Sequence, residues 1–374
     1  MPGKSPRKEV VLVTYPDSFT LEEAKSLVDS AGRKPLRVFT QKYLNHAEYG
    51  IGSGKAKELE EFVKESNAEQ VIVDEHLTSK QIHNLEKLTG VQVIDRERLI
   101  LDIFYSRATT NEAKLQIQLA EIRYEMPRVR EIAKMTAGDE RPGKGGRGEY
   151  VVDVKFRDLK RRMAFIKEKL DEAKNKRELY HQQRVKTGMP IVSLVGYTSA
   201  GKTTLFNLLS AEQKETSTSL FTTLSTTTRS MKIESKKAAV LLTDTVGFIS
   251  RLPTYMIDAF KSTLEESLAA DLILLLIDSS EELENIKIKY YNCWNVLKDL
   301  KVDESKVSVI LTKYDNDNCN GNNKNNVADG IGGMQKIDAI AKDLQLKDPL
   351  LISSKTGYGI HKLKNTIMAL LKNG

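Results

Sequence analysis

The sequence predicts an α/β protein in three parts: a small parallel α/β domain over residues 1–107, an antiparallel helical hairpin over 108–187, and a doubly wound α/β domain over 188–374. Three observations carry this reading. Short β-branched runs alternate with helical periods at both ends of the chain, a four-and-three apolar spacing fills the middle, and 374 residues exceed one ordinary core.

In the first part, EVVLVTY (9–15), PLRVF (35–39), EQVIVDE (69–75) and VQVIDR (91–96) read as strands, with LEEAKSLVDSAG and SKQIHNLEKLTG as helices between them. From about Thr110 the period changes. Leu115, Leu119, Ile122, Met126, Val129 and Ala133 form one seam, and Leu159, Met163, Ile166, Leu170, Ala173 and Tyr180 form a second. Between them AGDERPGKGGRGEY (137–150) is too glycine-rich for helix and too polar for burial, so it marks the tip of a hairpin, with Pro127 bending the first arm. A disordered linker is the alternative. In the third part IVSLV (191–195), AAVLLTD (238–244), LILLLID (272–278), VSVILTK (307–313) and LLIS (350–353) are the near-continuous apolar strands of a parallel sheet covered on both faces.

Composition narrows the function classes. No apolar run approaches the roughly 20 residues of a membrane span, and the opening MPGKSPRKEV lacks the apolar core of a secretory signal. Cys293 and Cys319 are too few for a disulfide frame or a zinc site. The expectation is a soluble, cytoplasmic protein. Residues 123–186 hold 19 basic and 11 acidic side chains, an excess of 8, against a net charge of +7 for the whole chain. A near-neutral body with one basic segment points to a polyanion, most simply nucleic acid, although a solvated helix surface carries the same signature. The basic candidates at the tip are Arg141, Lys144 and Arg147.

Two glycine–lysine stretches compete for a phosphate. GYTSAGKT matches G-x-x-x-x-G-K-[ST] across Gly196, Tyr197, Thr198, Ser199, Ala200, Gly201, Lys202 and Thr203, after a strand and before the helix TTLFNLLSA. Its amides can wrap a β-phosphate, Lys202 can bridge the β- and γ-phosphates, and Thr203 can ligate Mg²⁺. The rival, YGIGSGKAKELEEF (49–62), has three residues between Gly50 and Gly54 where four are needed, Ala56 after its lysine, and no apolar strand before it. It reads as a structural turn feeding a helix. Phosphate contact with RNA through Lys55 and Lys57, or a weak second nucleotide site, stay open.

Further motifs follow in order. In LLTDTVG, Asp244 can hold Mg²⁺ through water and the Gly247 amide can meet a γ-phosphate, with Thr245 and Val246 between them. Thr312, Lys313 and Asp315 stand where N-K-x-D reads guanine, and the Asp315 carboxylate can accept two hydrogen bonds that adenine cannot supply. Ser353, Ser354 and Lys355, in SSKTG, can close over the base. The site so defined predicts a P-loop GTPase with GTP and GDP as ligands and Mg²⁺ as cofactor.

This order resembles the translation-factor class of GTPases. LFTTLSTTTRS (220–230) is similar to the switch I signature of the Obg–HflX superfamily, and DTVGFISRLP, VIDRERLILDIFYSRATTNEAKLQIQLAEIRYEMPR and YGIGSGKAKELEEF are similar to HflX proteins, archaeal ones most of all. The resemblance spans nearly all of the chain. It places Phe221, Thr222, Thr223, Leu224 and Ser225 at the nucleotide, makes Thr223 a further Mg²⁺ ligand, and implies Lys202, Thr223 and Gly247 as the catalytic set. It also implies binding to the large ribosomal subunit through rRNA, splitting or rescuing ribosomes, and a monomer is the expectation.

Departures from that pattern set further expectations. The tip reads GGRGEYVVDV rather than a GGxGE run continuing into T-Q-L-E. Thr312 replaces the usual asparagine, which predicts a weaker brace on the P-loop. Ser199 replaces the asparagine of potassium-using relatives, so potassium activation is not expected. An asparagine-rich insertion (316–333) lengthens the loop after Asp315. Phe248 follows D-x-x-G where Ras-like enzymes carry a water-orienting glutamine, and a core-facing role is its plainer reading. No arginine is clearly poised in cis, although Arg229 and Arg251 lie in the switch regions. Slow intrinsic hydrolysis with partner activation follows. A GTP-regulated RNA- or protein-binding switch, and an ATP-dependent RNA-remodelling protein with a second nucleotide site near the N-terminus, are the competing readings.

Overall fold

The computed structural model describes residues 7–139, 147–186, 189–210, 220–221, 227–232, 239–259, 270–315 and 329–373. The chain divides into two compact units. Unit 1 comprises Met1–Ala173 together with Pro253–Ala259, and unit 2 comprises Lys174–Leu252 with Phe260–Gly374.

Unit 1 begins with β1 (Lys8–Thr14), α1 (Ser18–Ser30), β2 (Arg33–Thr40), α2 (Ser53–Glu65), β3 (Gln70–Val73), α3 (Ser79–Thr89), β4 (Gln92–Asp95) and α4 (Arg96–Arg107). The strands form one sheet in the order β2-β1-β3-β4, every pair parallel. Val11, Val13, Val71 and Val73 bury one face of it against Leu59, Val63, Leu77 and Leu85 of the flanking segments. Caps fix the helix starts. Thr78 and Gln81 make a reciprocal capping box on α3, and Asp95 caps α4 by accepting from the Arg98 amide.

Two long helices follow, α5 (Asn111–Asp139) and α6 (Arg147–Lys186). Leu119, Ile122 and Val129 from α5 meet Leu159, Ile166 and Leu170 from α6 in one apolar cluster, with Leu115, Met126 and Met163 at its margin. The α-helix continues through Pro127. Arg141 and Lys144 at the tip, and the side chain of Arg147, lie outside the described residues.

Unit 2 contains β5 (Ile191–Gly196), α7 (Lys202–Ser210), β6 (Thr227–Lys232), β7 (Ala239–Asp244), β8 (Leu272–Asp278), α8 (Leu283–Asp299), β9 (Val307–Thr312), α9 (Asp329–Asp343), β10 (Leu350–Leu351) and α10 (Ile360–Asn373). Its sheet runs β10-β9-β8-β5-β7-β6, all parallel except the β6–β7 pair. Val192, Leu194, Leu272, Leu274 and Leu276 are buried with Phe206 of α7 and Ile367 of α10. The sequence pattern carried no warning of β6, because TTRSMK is polar, with Met231 buried. It is an edge strand, and its pairing with β7 fixes it where hydrophobicity does not. No helix among the described residues is long and apolar enough to cross a membrane.

Candidate functional site

Parallel strands put their carboxyl ends on one edge of a sheet, and the loops after β5, β7 and β9 gather there in unit 2. The loop after β5 is GYTSAGKT. Lys202 opens α7 and is buried, its ammonium donating to the carbonyls of Gly196 (3.0 Å) and Tyr197 (2.8 Å). Burial pulls its pKa down to about 8, with Asp244 pulling the other way. An anion bound at this loop would counter that desolvation and favour the charged form.

Thr203 Oγ1 donates to Asp244 Oδ2 over 3.1 Å, so a hydroxyl from the start of α7 and a carboxylate from the end of β7 converge on one point. Hard oxygen donors of this kind suit Mg²⁺. Gly247 leaves no room for a side chain: a Cβ there would stand 2.8 Å from Thr198 Cγ2 and 3.1 Å from Lys202 Nζ. The D-x-x-G amide is therefore set beside the P-loop lysine. Two main-chain bonds fasten it, Phe248 N–H to Gly196 O (3.1 Å) and Thr198 N–H to Phe248 O (2.8 Å). Phe248 itself is buried, which agrees with a core-facing ring.

Several of the expected residues also make internal contacts. Thr245 turns its hydroxyl to Leu194 O (2.8 Å), inside the sheet. The brace expected to be weak is present, since Thr312 Oγ1 donates to the P-loop carbonyl of Ala200 at 2.8 Å. Its one hydrogen is what differs from asparagine, because Ile277 O, at 3.2 Å, competes for it. Lys313 adopts a left-handed backbone (φ 57°) and its ammonium pairs with Asp278 at 2.6 Å. Tyr314 stacks on Tyr358 with centroids 5.0 Å apart. Ser353 is fully buried and shapes the last loop, its hydroxyl oxygen accepting from the Thr356 amide at 3.1 Å, while Ser354 is half-buried and Lys355 exposed. Ser199, also left-handed (φ 63°), and the half-buried Asp315 complete the described set. Leu220 and Phe221 are buried, whereas Thr222, Thr223, Leu224 and Ser225, and residues 316–328 of the asparagine-rich insertion, lie outside the described residues.

Sequence reasoning missed Asp278, although a carboxylate closing the buried strand LILLLID was its signal. It also missed a polar knot in unit 1. Tyr255 donates to Glu97 (2.8 Å), Arg123 donates to Tyr255 O (3.1 Å), and His76 Nδ1 lies 3.2 Å from Glu97. Beside them is a cavity of about 380 Å³ lined in part by Thr78, Tyr124, Arg128 and Glu131. His76, Asp95 and Glu97 are close enough together to hold a metal ion. Asp95, however, already accepts from Arg128, Tyr124 and the amides of Leu77 and Arg98, so the cluster is a structural crosslink.

A parallel sheet ending in a G-x-x-x-x-G-K-T loop, a D-x-x-G loop and a T-K-x-D loop defines a P-loop GTPase. Three family models tile the chain: "GTP-binding GTPase N-terminal" over residues 19–105, "GTP-binding GTPase Middle Region" over 107–184 and "50S ribosome-binding GTPase" over 191–313. The GTPase HflX of Methanocaldococcus jannaschii is 40% identical over 94% of this chain and 83% of its own length. That of Escherichia coli is 39% identical over 80% of this chain and 70% of its own. The chain belongs to the HflX GTPase family, and it is a GTP-binding, GTP-hydrolysing enzyme. The crystal structure of SsGBP in complex with GDP, 24% identical, covers 98% of this chain and 99% of its own with a TM-score of 0.53, a likeness of fold.

Proposed function

We propose that this GTPase hydrolyses GTP slowly on its own, with Mg²⁺, and couples the cycle to the large ribosomal subunit. The functional division is 1–107, 108–187 and 188–374. The observation that carries the site is the convergence of Lys202, Gly247 and the Thr203–Asp244 pair on one point of the sheet edge. In this reading the amides of 198–203 cradle the phosphates and Lys202 bridges β and γ. The Gly247 amide meets the γ-phosphate and Asp315 reads guanine. Thr203 and Asp244, joined by Thr223, would hold Mg²⁺, which supplies charge neutralisation between the β- and γ-phosphates. Thr312, Thr245 and Tyr197 support the loops instead of touching the base.

Hydrolysis is slow in this reading because the buried Phe248 ring cannot orient water. A partner that orders the switches accelerates it. The ribosome fits that part on two grounds: the match to a family described as 50S ribosome-binding, and the basic excess over 123–186. The tip residues Arg141, Lys144 and Arg147 are the proposed rRNA contacts, in a cytoplasmic monomer.

Single-turnover GTP hydrolysis with and without purified large subunits tests the coupling, alongside co-sedimentation in a non-hydrolysable GTP analogue at rising salt. The expected result is faster hydrolysis and pelleting that falls steeply with salt. Equal rates and no pelleting would reject the ribosomal role. A matched GTP and ATP titration separately tests the base-reading role of Asp315.

A further inference from the structure

Tyr197 occupies the first variable position of the P-loop, and its side chain is buried. Its ring is buried beneath the Lys289 ammonium, 5.2 Å from the centroid, and its backbone amide faces the buried Cys293 thiol on α8. So placed, its hydroxyl oxygen accepts the Ser250 N–H at 2.6 Å. That donor lies three residues beyond Gly247, on the loop already zipped to the P-loop through Phe248. The Tyr197 carbonyl also accepts from Lys202 (2.8 Å). One residue therefore fixes the P-loop lysine with its main chain and the D-x-x-G loop with its side chain.

We infer that Tyr197 is a positioning residue that clamps the D-x-x-G loop to the P-loop, so that the Gly247 amide stands ready for the γ-phosphate. The inference rests on reading 196–203 as the phosphate loop. Without the clamp, two main-chain bonds at Phe248 still hold the loop, but the chain beyond it is released and Gly247 gains freedom that γ-phosphate binding must then remove. GDP has no group at that position. The clamp accordingly favours GTP over GDP and speeds hydrolysis, leaving the shared β-phosphate contacts alone.

Tyr197→Phe keeps the ring and its cation contact and removes the hydroxyl that accepts from Ser250. In the full chain with Mg²⁺, GDP affinity is expected to stay within about twofold of the parent, while affinity for a non-hydrolysable GTP analogue falls about 3- to 10-fold, the worth of one hydrogen bond. The single-turnover rate falls by a similar factor, and hydrogen exchange in the peptide containing Ser250 accelerates. An unchanged GTP-to-GDP ratio with unchanged exchange would overturn the clamp. Equal weakening of both nucleotides would overturn it too, by making Tyr197 a plain structural part of the P-loop. Failure of the phosphate-loop reading is distinguishable, because Lys202→Ala would then leave binding of both nucleotides intact.

Discussion

Two glycine–lysine turns in this chain look alike as strings and differ in what their surroundings ask of them. At 196–203 the turn leaves a buried strand, its lysine is buried over its own carbonyls, and a second loop lies against it. At 49–57 the turn leaves an isolated two-residue bridge between His46 and Gly50, and Lys55 reaches solvent to pair with Glu58 at 2.8 Å. Gly50 is a glycine because its φ is +73° and a Cβ would stand 2.5 Å from Leu77 Cδ2. The Gly52 amide is taken by Gln41. Glycine opens a turn over a buried lysine in one case and allows close packing in the other, and the spacing together with the neighbouring strand distinguishes them.

The largest expected difference is in nucleotide binding. Lys202→Ala removes the charge at the site and should weaken GTP and GDP binding on the order of 100-fold, whereas Lys55→Ala should leave both unchanged. Isothermal titration of the two variants checks this. Loss of binding in Lys55→Ala would revive a nucleotide site in unit 1. Where that open sheet would take a ligand, at the carboxyl ends of β1 and β3, Arg96 instead pairs with Asp74 and Glu23, and Thr14 donates to Asp74. A buried ionic network fills the crevice.

Gly50→Ala reverses the pattern. The clash and the left-handed backbone should destabilise unit 1 by about 1–3 kcal/mol, seen as a lower melting temperature, with nucleotide affinity at the parent value. Thr312→Val is smaller again. It strips the hydrogen that Ala200 O accepts while keeping the shape, and should weaken both nucleotides about 5-fold, roughly 1 kcal/mol. An unaffected Thr312→Val would show that the brace contributes nothing to the P-loop's shape.

How far these contrasts were legible depended on range. The P-loop and its rival were separable from spacing and the preceding strand alone, and the hairpin seams from periodicity, since Leu119, Ile122, Leu159 and Ile166 repeat at helical intervals. Strand β6 was not, because an edge strand held by pairing need not be hydrophobic. Nor were the Lys313–Asp278 pair, the Thr312 brace or the Tyr197 clamp. Each joins residues dozens to more than a hundred positions apart, and adjacency of that kind exists only after the sheet has formed.

The smallest effect lies in unit 1, where the His76–Glu97–Tyr255 knot sets a pH window. The hydrogen bond to Glu97 raises the His76 pKa above its ordinary 6.5. Burial pushes the Glu97 carboxyl up, but hydrogen bonds from His76 and Tyr255 outweigh it and leave the group below its ordinary 4.5. Burial and Glu97 raise the Tyr255 pKa well beyond its usual range, so its hydroxyl keeps its proton and goes on donating. For His76 the stabilisation is fully present below its unfolded value and is lost as pH rises through the raised one. For Glu97 it is present above its unfolded value and is lost as pH falls through the depressed one. The pair thus supports unit 1 between those limits. His76 is 56% exposed, so solvent screening holds its share to about 0.5 kcal/mol or less. Thermal melts of the parent and of His76→Ala from pH 4 to 9, read relative to each other, should separate most between the two limits and converge on the alkaline side. A constant difference across that range would mean that His76 contributes by packing alone.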